Sequence, residues 1–125
     1  MGQVTSSPGA AYGVTYSPND YQLAIELTKE LEHVLQKEFN AVEGRGLHER
    51  VSFVEAQLPP VTVRSIRYLA SVRNSLIHER NVRNLQDRAK FIARFESAMD
   101  ELRIVIDKKN SIAGHNETPG NCLIS

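Results

Sequence analysis

The chain of 125 residues contains a single cysteine, Cys122, and no tryptophan. One thiol cannot form a disulfide within the chain, so the cysteine count excludes a disulfide-rich scaffold and favours a reducing cytoplasm. No stretch approaches the ~20 apolar residues that a membrane-spanning helix needs. The N-terminus also lacks the charged segment and apolar core of a secretory signal. The sequence therefore predicts a single cytoplasmic domain.

The chain has no net formal charge, so it has no bulk attraction to nucleic acid or to a membrane. The charge is nevertheless unevenly distributed. Residues 20–57 carry eight acidic and four basic side chains, whereas residues 64–94 carry eight arginines and lysines against two acidic residues. A basic band of this kind attracts phosphate, but it is equally typical of a solvated helix face balanced by acidic neighbours. The sequence leaves both interpretations open.

Apolar residues recur at steps of three and four along most of the chain, and no alternating β pattern is present. This periodicity predicts an all-α protein, an up-and-down bundle of four main helices. We expect the first helix to begin with Ser17 as N-cap and Pro18 in the first turn, and to end at Gly44 and Gly46. The second and third helices are predicted over residues 47–58 and 61–80, because Pro59 and Pro60 interrupt the chain between them.

The fourth helix is predicted to start near Leu85 and to carry a buried seam. The residues expected in this seam are Leu85, Ala89, Ile92, Phe95, Met99, Leu102 and Ile106. Outside the helices the composition turns polar and rich in small residues. The predicted organisation is a flexible N-terminal arm over residues 1–17, a helical domain over residues 18–107 and a flexible C-terminal tail over residues 108–125.

The third helix contains an arginine on its apolar side. At about 100° per residue, one sector collects Ile66, Leu69, Ala70, Leu76 and Ile77. Arg73 falls inside this sector. A guanidinium cannot be deprotonated, and burying it without a partner costs several kcal/mol. Arg73 must therefore pair with a carboxylate, reach water, or open onto a cleft at a subunit interface. The candidate carboxylates are Glu32, Glu38, Glu43 and Glu55.

The sector beside this stripe is polar and basic, and it carries Arg64, Arg67, Ser71, Asn74 and His78. Arg73 and His78 are separated by four residues, with Asn74 directly after the arginine. The surrounding stretch, "LPPVTVRSIRYLASVRNSLIHERNV", resembles the motif region of small bacterial proteins of the HEPN superfamily. The resemblance covers about residues 18–107.

The resemblance implies a bundle of four or five helices that pairs as a homodimer. It also implies a metal-independent endoribonuclease site, formed where two copies of the motif meet across the dimer groove. Arg73 and His78 match the catalytic arginine and histidine of the family, and Asn74 matches their polar neighbour. One toxin branch carries a tyrosine two residues after the histidine, but this chain has Arg80 there. The tyrosine-modification control of that branch is therefore not expected.

The predicted chemistry uses the 2′-hydroxyl of RNA as the nucleophile. Two histidines can share the acid and base roles, and arginine can bind the phosphate oxygens through paired N–H groups. Arg73 and His78 diverge by about 140° on one helix, so a symmetric dimer brings such groups together better than a single chain does. Asn74, Arg67, Arg64 and Ser71 are the expected substrate-binding residues. No cofactor and no metal are expected.

The expected partners are a second copy of the chain, RNA, and a cognate antitoxin or regulatory protein. No DNA specificity is expected. A non-catalytic dimerisation module, or one that binds RNA or a nucleotide without cutting it, is the alternative function. The termini carry separate signals, since Gly2 fits an N-myristoylation pattern and Cys122 fits a prenylation box. In a eukaryotic host these would predict membrane association.

Overall fold

The computed structural model describes residues 16–41 and 46–117, with side chains described as far as residue 111. The helices are α1 (Asp20–Phe39), α2 (Leu47–Phe53), α3 (Pro60–His78) and α4 (Arg88–Glu117). A short 3₁₀-helix, Glu55–Gln57, connects α2 to α3. The described part of the chain contains no strand, so the prediction of an all-α bundle with four helices is confirmed. Three helices are long, and α2 has only seven residues.

The long helices alternate in direction. At one end, Asp20 of α1 accepts a hydrogen bond from Arg88 at the start of α4. At the other end, the Lys109 ammonium donates to the Glu38 carbonyl oxygen, so α1 and α4 run parallel. Thr62, near the start of α3, donates to Glu101 of α4 at 2.8 Å, which makes α3 antiparallel to both.

The core lies between α1, α3 and α4, because the apolar residues of each helix recur on one side. α2 covers one edge of this core with Leu47 and Val51. The largest fully buried side chains of the long helices are Leu23, Leu27, Leu31, Leu35, Phe39, Ile66, Leu69, Leu76, Phe91, Phe95 and Leu102.

The first helix begins and ends at residues other than those predicted. Asn19, not Ser17, is the N-cap, and its side-chain oxygen accepts the Gln22 N–H at 2.9 Å. The Ser17 hydroxyl instead accepts the Asn19 N–H at 3.0 Å. The helix ends at Phe39, five residues before Gly44, because Asn40 adopts a left-handed conformation with φ of 60°. Asparagine tolerates this conformation better than most residues, so no glycine is needed.

Asn40 offers a small test of this helix end. Asn40→Ala is expected to lower the free energy of unfolding by about 1 kcal/mol, because alanine is strained at positive φ, and Asn40→Gly is expected to leave it unchanged or slightly higher. Urea denaturation followed by circular dichroism measures both. Equal stability of the two variants would contradict a left-handed Asn40.

The fourth helix starts at Arg88, three residues after the predicted Leu85, since the Asp87 carboxylate caps it by accepting the Lys90 N–H at 2.9 Å. Leu85 lies in the loop before α4, and its side chain is buried. The buried side of α4 is also rotated relative to the predicted seam: it consists of Phe91, Phe95, Ala98 and Leu102. Ala89 is exposed, while Ile92, Met99 and Ile106 are only partly buried. The α4 backbone continues to Glu117, beyond the domain limit expected at residue 107.

Two residues assigned to the N-terminal arm contact the bundle. The Tyr16 hydroxyl donates to Glu96 of α4 at 2.7 Å, and Ser17 is buried. Gly2 and Cys122, the candidate lipidation residues, lie outside the described residues. Among residues 16–41 and 46–117, no helix has the length and apolar character needed to cross a membrane.

Candidate functional site

The side chain of Arg73 is half-buried near the end of α3, on the side of the helix that faces the core. Its Nη1 donates to the Asn74 side-chain oxygen at 3.2 Å. Its Nε is buried and has no hydrogen-bond partner among the described residues. An unsatisfied buried donor costs about 1–3 kcal/mol. The arginine therefore occupies this position at the expense of stability.

Of the carboxylates that the sequence offered as partners, the three in the described part of the chain, Glu32, Glu38 and Glu55, form no salt bridge with Arg73. Glu55 instead pairs with Arg67, at 3.3 Å. Glu43 lies outside the described residues. Within the part of the chain that the structure describes, no salt bridge to Arg73 is formed. Among the described residues, Arg73 is therefore not one half of a buried ion pair.

The bundle is incompletely covered where Arg73 lies. Ile77 follows Arg73 by one helical turn on the same side, and we expected it to be buried in the apolar stripe. It is 41% exposed. Leu76, one residue earlier, is buried, so the edge of the core passes between Leu76 and Ile77, and Arg73 lies half-buried beside that edge.

His78 is the last residue of α3, and its side chain is exposed. In the described residues no hydrogen bond or ion pair holds its imidazole. The structure does not bring Arg73 and His78 into contact, in agreement with their divergence of about 140° around the helix axis. One chain therefore presents the two groups at the same end of α3, but they do not converge on one atom.

The other predicted substrate-binding residues line the side of α3 that faces α2. Arg67 donates to Ser52 at 2.9 Å and to Glu55 at 3.3 Å, so its guanidinium is already engaged. The Ser71 hydroxyl lies 3.3 Å from Nε2 of His48. Arg64 is exposed.

His48 is a polar residue of this surface that sequence reasoning did not place there. It belongs to α2, whereas Ser71 belongs to α3, and only the packing of the two helices brings them together. A helical wheel treats one helix at a time and carries no signal for such a pair.

The donor groups of the described residues do not form a metal site, because no three His, Cys, Asp or Glu side chains converge there. No protein-family model matches the chain, and it matches no curated protein and no solved structure.

Proposed function

We propose that this protein is a metal-independent endoribonuclease of the HEPN type that acts as a homodimer. The observation that carries the proposal is the half-buried guanidinium of Arg73, which has a buried Nε without a partner and no carboxylate beside it among the described residues. A guanidinium without a carboxylate beside it is a suitable binding group for an anion from solution. A phosphodiester of RNA is such an anion, and the basic segment over residues 64–94 favours its approach.

The geometry of α3 supports the proposed dimer. Arg73 and His78 point in different directions, so one copy cannot apply both to the same phosphate. Pairing two copies through the exposed end of α3 would cover Ile77, which is 41% exposed. The same pairing would place two arginines and two imidazoles along one groove. A two-fold axis makes each copy supply the group that the other lacks.

In the proposed reaction, His78 of one copy accepts the proton of a ribose 2′-hydroxyl. The 2′-oxygen then forms a bond to the adjacent phosphorus, and the bond from phosphorus to the 5′-oxygen breaks. His78 of the second copy donates a proton to that leaving oxygen. Arg73 binds the non-bridging oxygens, where negative charge develops. The products are a 2′,3′-cyclic phosphate and a free 5′-hydroxyl.

Asn74 has a positioning role in this proposal. Its side-chain oxygen accepts from Nη1 of Arg73 at 3.2 Å, so it orients the guanidinium. Ser71 and Arg64 extend the polar surface along α3, and we propose that they contact the RNA backbone. Arg67 contributes more weakly, because it is bonded to Ser52 and Glu55. A toxin or defence effector controlled by a regulatory protein is the biological role that fits such an activity.

A non-catalytic module that binds RNA or a nucleotide is the second candidate. The observation that favours it is the side chain of His78, which is exposed and has no orienting hydrogen bond in the described part of the chain. General acid–base catalysis needs a positioned group. In a dimer this imidazole must therefore gain a partner; otherwise the same surface binds RNA without cutting it.

One experiment separates the two functions. The purified protein, at a concentration where light scattering shows a dimer, is incubated with a fluorescent single-stranded RNA in excess EDTA. We expect cleavage, with 2′,3′-cyclic phosphate ends identified by mass spectrometry. Lys29→Ala, which removes an exposed cation from α1, should cleave at the parental rate. Binding without cleavage would support the module, and cleavage that EDTA abolishes would refute the metal-independent mechanism.

A further inference from the structure

An apolar groove lies between α1 and α4, on a different surface of the bundle from Arg73. Its lining includes Val34 of α1 and Met99, Leu102 and Ile106 of α4, and its volume is about 150 Å³. Leu102 is buried, whereas the other three side chains are only partly buried. A segment that covered them would remove apolar surface from water, which is favourable in proportion to the area buried.

The chain before α1 contacts this side of the bundle. The Arg88 guanidinium donates to the Ser17 carbonyl oxygen, and the Tyr16 hydroxyl donates to Glu96 at 2.7 Å. The Tyr16 ring also packs edge-on against Phe95, with 6.5 Å between the ring centres. Ser17 is therefore held near the start of α4, and Tyr16 about two turns further along that helix.

The groove lies ahead of Tyr16 when the chain is followed towards its N-terminus. One sector of about 80° around α4 contains Arg88, Glu96, Met99 and Ile106. The two contacts of the chain before α1 advance through this sector from Arg88 to Glu96. Met99 and Ile106 follow in the same direction, about 5 Å and about 15 Å beyond Glu96 along the helix axis.

The residues before Tyr16 match the groove in their spacing. Residues 12–15, with the sequence YGVT, lie outside the described residues. This stretch is too short to predict a strand, but in an extended chain alternate side chains point to one side. Val14 and Tyr12 then share the side of Tyr16 that faces α4. At about 3.4 Å per residue they reach about 7 Å and about 14 Å beyond it, close to the spacing of the two outer groove residues of α4.

The composition of the N-terminal arm also suits an apolar groove. Residues 2–17 contain no charged side chain, so covering the groove with this part of the chain desolvates no charge. Because Tyr16 and Ser17 are already held, only about four further residues must be ordered, which keeps the entropic cost low. A segment of another molecule would in addition lose its translational freedom. These costs favour the chain's own arm as the occupant.

We propose that residues 12–15 lie extended in this groove, with Val14 against Met99 and Tyr12 against Ile106. The groove is then closed by the chain's own arm, and it is not a surface on which a second copy or another protein docks. The proposal does not depend on RNA cleavage, because the groove lies between α1 and α4 and the proposed ribonuclease surface lies at the end of α3.

Disulfide trapping in the full chain tests this register. In a Cys122→Ser background, Val14→Cys combined with Met99→Cys is expected to form a disulfide within one chain under mild oxidation, because the docked segment brings the two sulfurs to bonding distance. Thr15→Cys combined with Met99→Cys is the matched control. Thr15 points away from α4 in the proposed segment, so this pair should react at least about tenfold more slowly. Intact mass and non-reducing electrophoresis measure the rates and show whether one chain or two are joined.

A charge placed at the same two arm positions gives an independent measurement. Val14→Asp is expected to lower the urea midpoint of unfolding by about 0.5 M, because a carboxylate cannot be buried against Met99 without losing its hydration. Thr15→Asp should leave the midpoint within about 0.1 M of the parent. Both substitutions lie before α1, so neither alters a helix.

Equal disulfide rates for the Val14 and Thr15 pairs would overturn the proposal, because a segment that does not occupy the groove has no preferred side. The absence of a disulfide in the Val14 pair, or equal urea midpoints for the two aspartate variants, would overturn it as well. A disulfide between two chains would assign the groove to the arm of a second copy and refute docking within one chain. RNA cleavage by a protein whose Val14 pair forms no bond would support the proposed function and refute this inference alone.

Discussion

Replacing Arg73 with methionine is expected to make the protein more stable and to lower RNA cleavage by at least about 100-fold. Both effects follow from the removal of the guanidinium, each through a different interaction. In the part of the chain that the structure describes, the buried Nε of the guanidinium has no partner, and Nη1 donates to the neighbouring Asn74. Methionine keeps the length and the apolar stem of arginine but has no N–H group to leave unsatisfied. We expect the free energy of unfolding to rise by about 1–2 kcal/mol.

The loss of activity has a different cause from the gain in stability. Without the guanidinium, the charge that develops on the phosphate in the transition state has no fixed cation beside it. Binding of RNA should weaken less than cleavage, because other basic residues of the segment over residues 64–94 remain. Cleavage rate, RNA affinity and urea denaturation, measured on the same preparation, separate these effects.

Arg67→Met is the matched control for the stability measurement. Arg67 lies on the same helix, but it donates to Ser52 and pairs with Glu55, and its side chain is 35% exposed. Its removal should therefore lower stability by less than about 1 kcal/mol. The sign of the change should thus differ between the two variants. A loss of stability in Arg73→Met larger than that in Arg67→Met would show that Arg73 supports the fold, and would remove the main argument for a ligand there.

The sequence predicted the helices well where burial repeats and less well where they end. Leu23, Leu27, Leu31 and Leu35 recur on one side of α1, and any helix that buries them must have this period. The end of α1 depends instead on one residue, Asn40, which adopts a left-handed conformation before either glycine is reached. The start of α4 depends in the same way on the Asp87 side chain.

The candidate site could also be predicted from the sequence only in part. The position of Arg73 on the apolar side of α3 could be predicted from the helical period alone. The lack of a carboxylate partner among residues 16–41 and 46–117 could not, since four glutamates were candidates, and which one is in reach depends on packing. The exposure of Ile77 also depends on packing, because the neighbouring helices cover the side of the last turn of α3 that carries Leu76 and leave Ile77 uncovered. A cleft between α3, the loop over residues 79–87 and the first turn of α4 also escaped prediction, because residues of that loop form part of its lining.

Asp20 joins three parts of the bundle and supports the largest stability effect that we predict. Its two carboxylate oxygens accept separate hydrogen bonds, from the Leu85 N–H at 2.8 Å and from the Arg88 guanidinium at 2.7 Å. Its side chain is only 17% exposed, so water replaces these bonds poorly. Asp20→Ala removes both bonds and the acidic group of the first turn of α1. We expect the free energy of unfolding to fall by about 3 kcal/mol.

Asp20→Asn is the control that separates the two bonds. The asparagine oxygen can still accept the Leu85 N–H, but its amide cannot pair with the Arg88 guanidinium. This variant should therefore lose about half as much stability as Asp20→Ala, and it should retain the position of the loop. Urea denaturation of both variants measures the two losses of stability. Equal losses would show that the hydrogen bond from the Leu85 N–H contributes nothing measurable to folding.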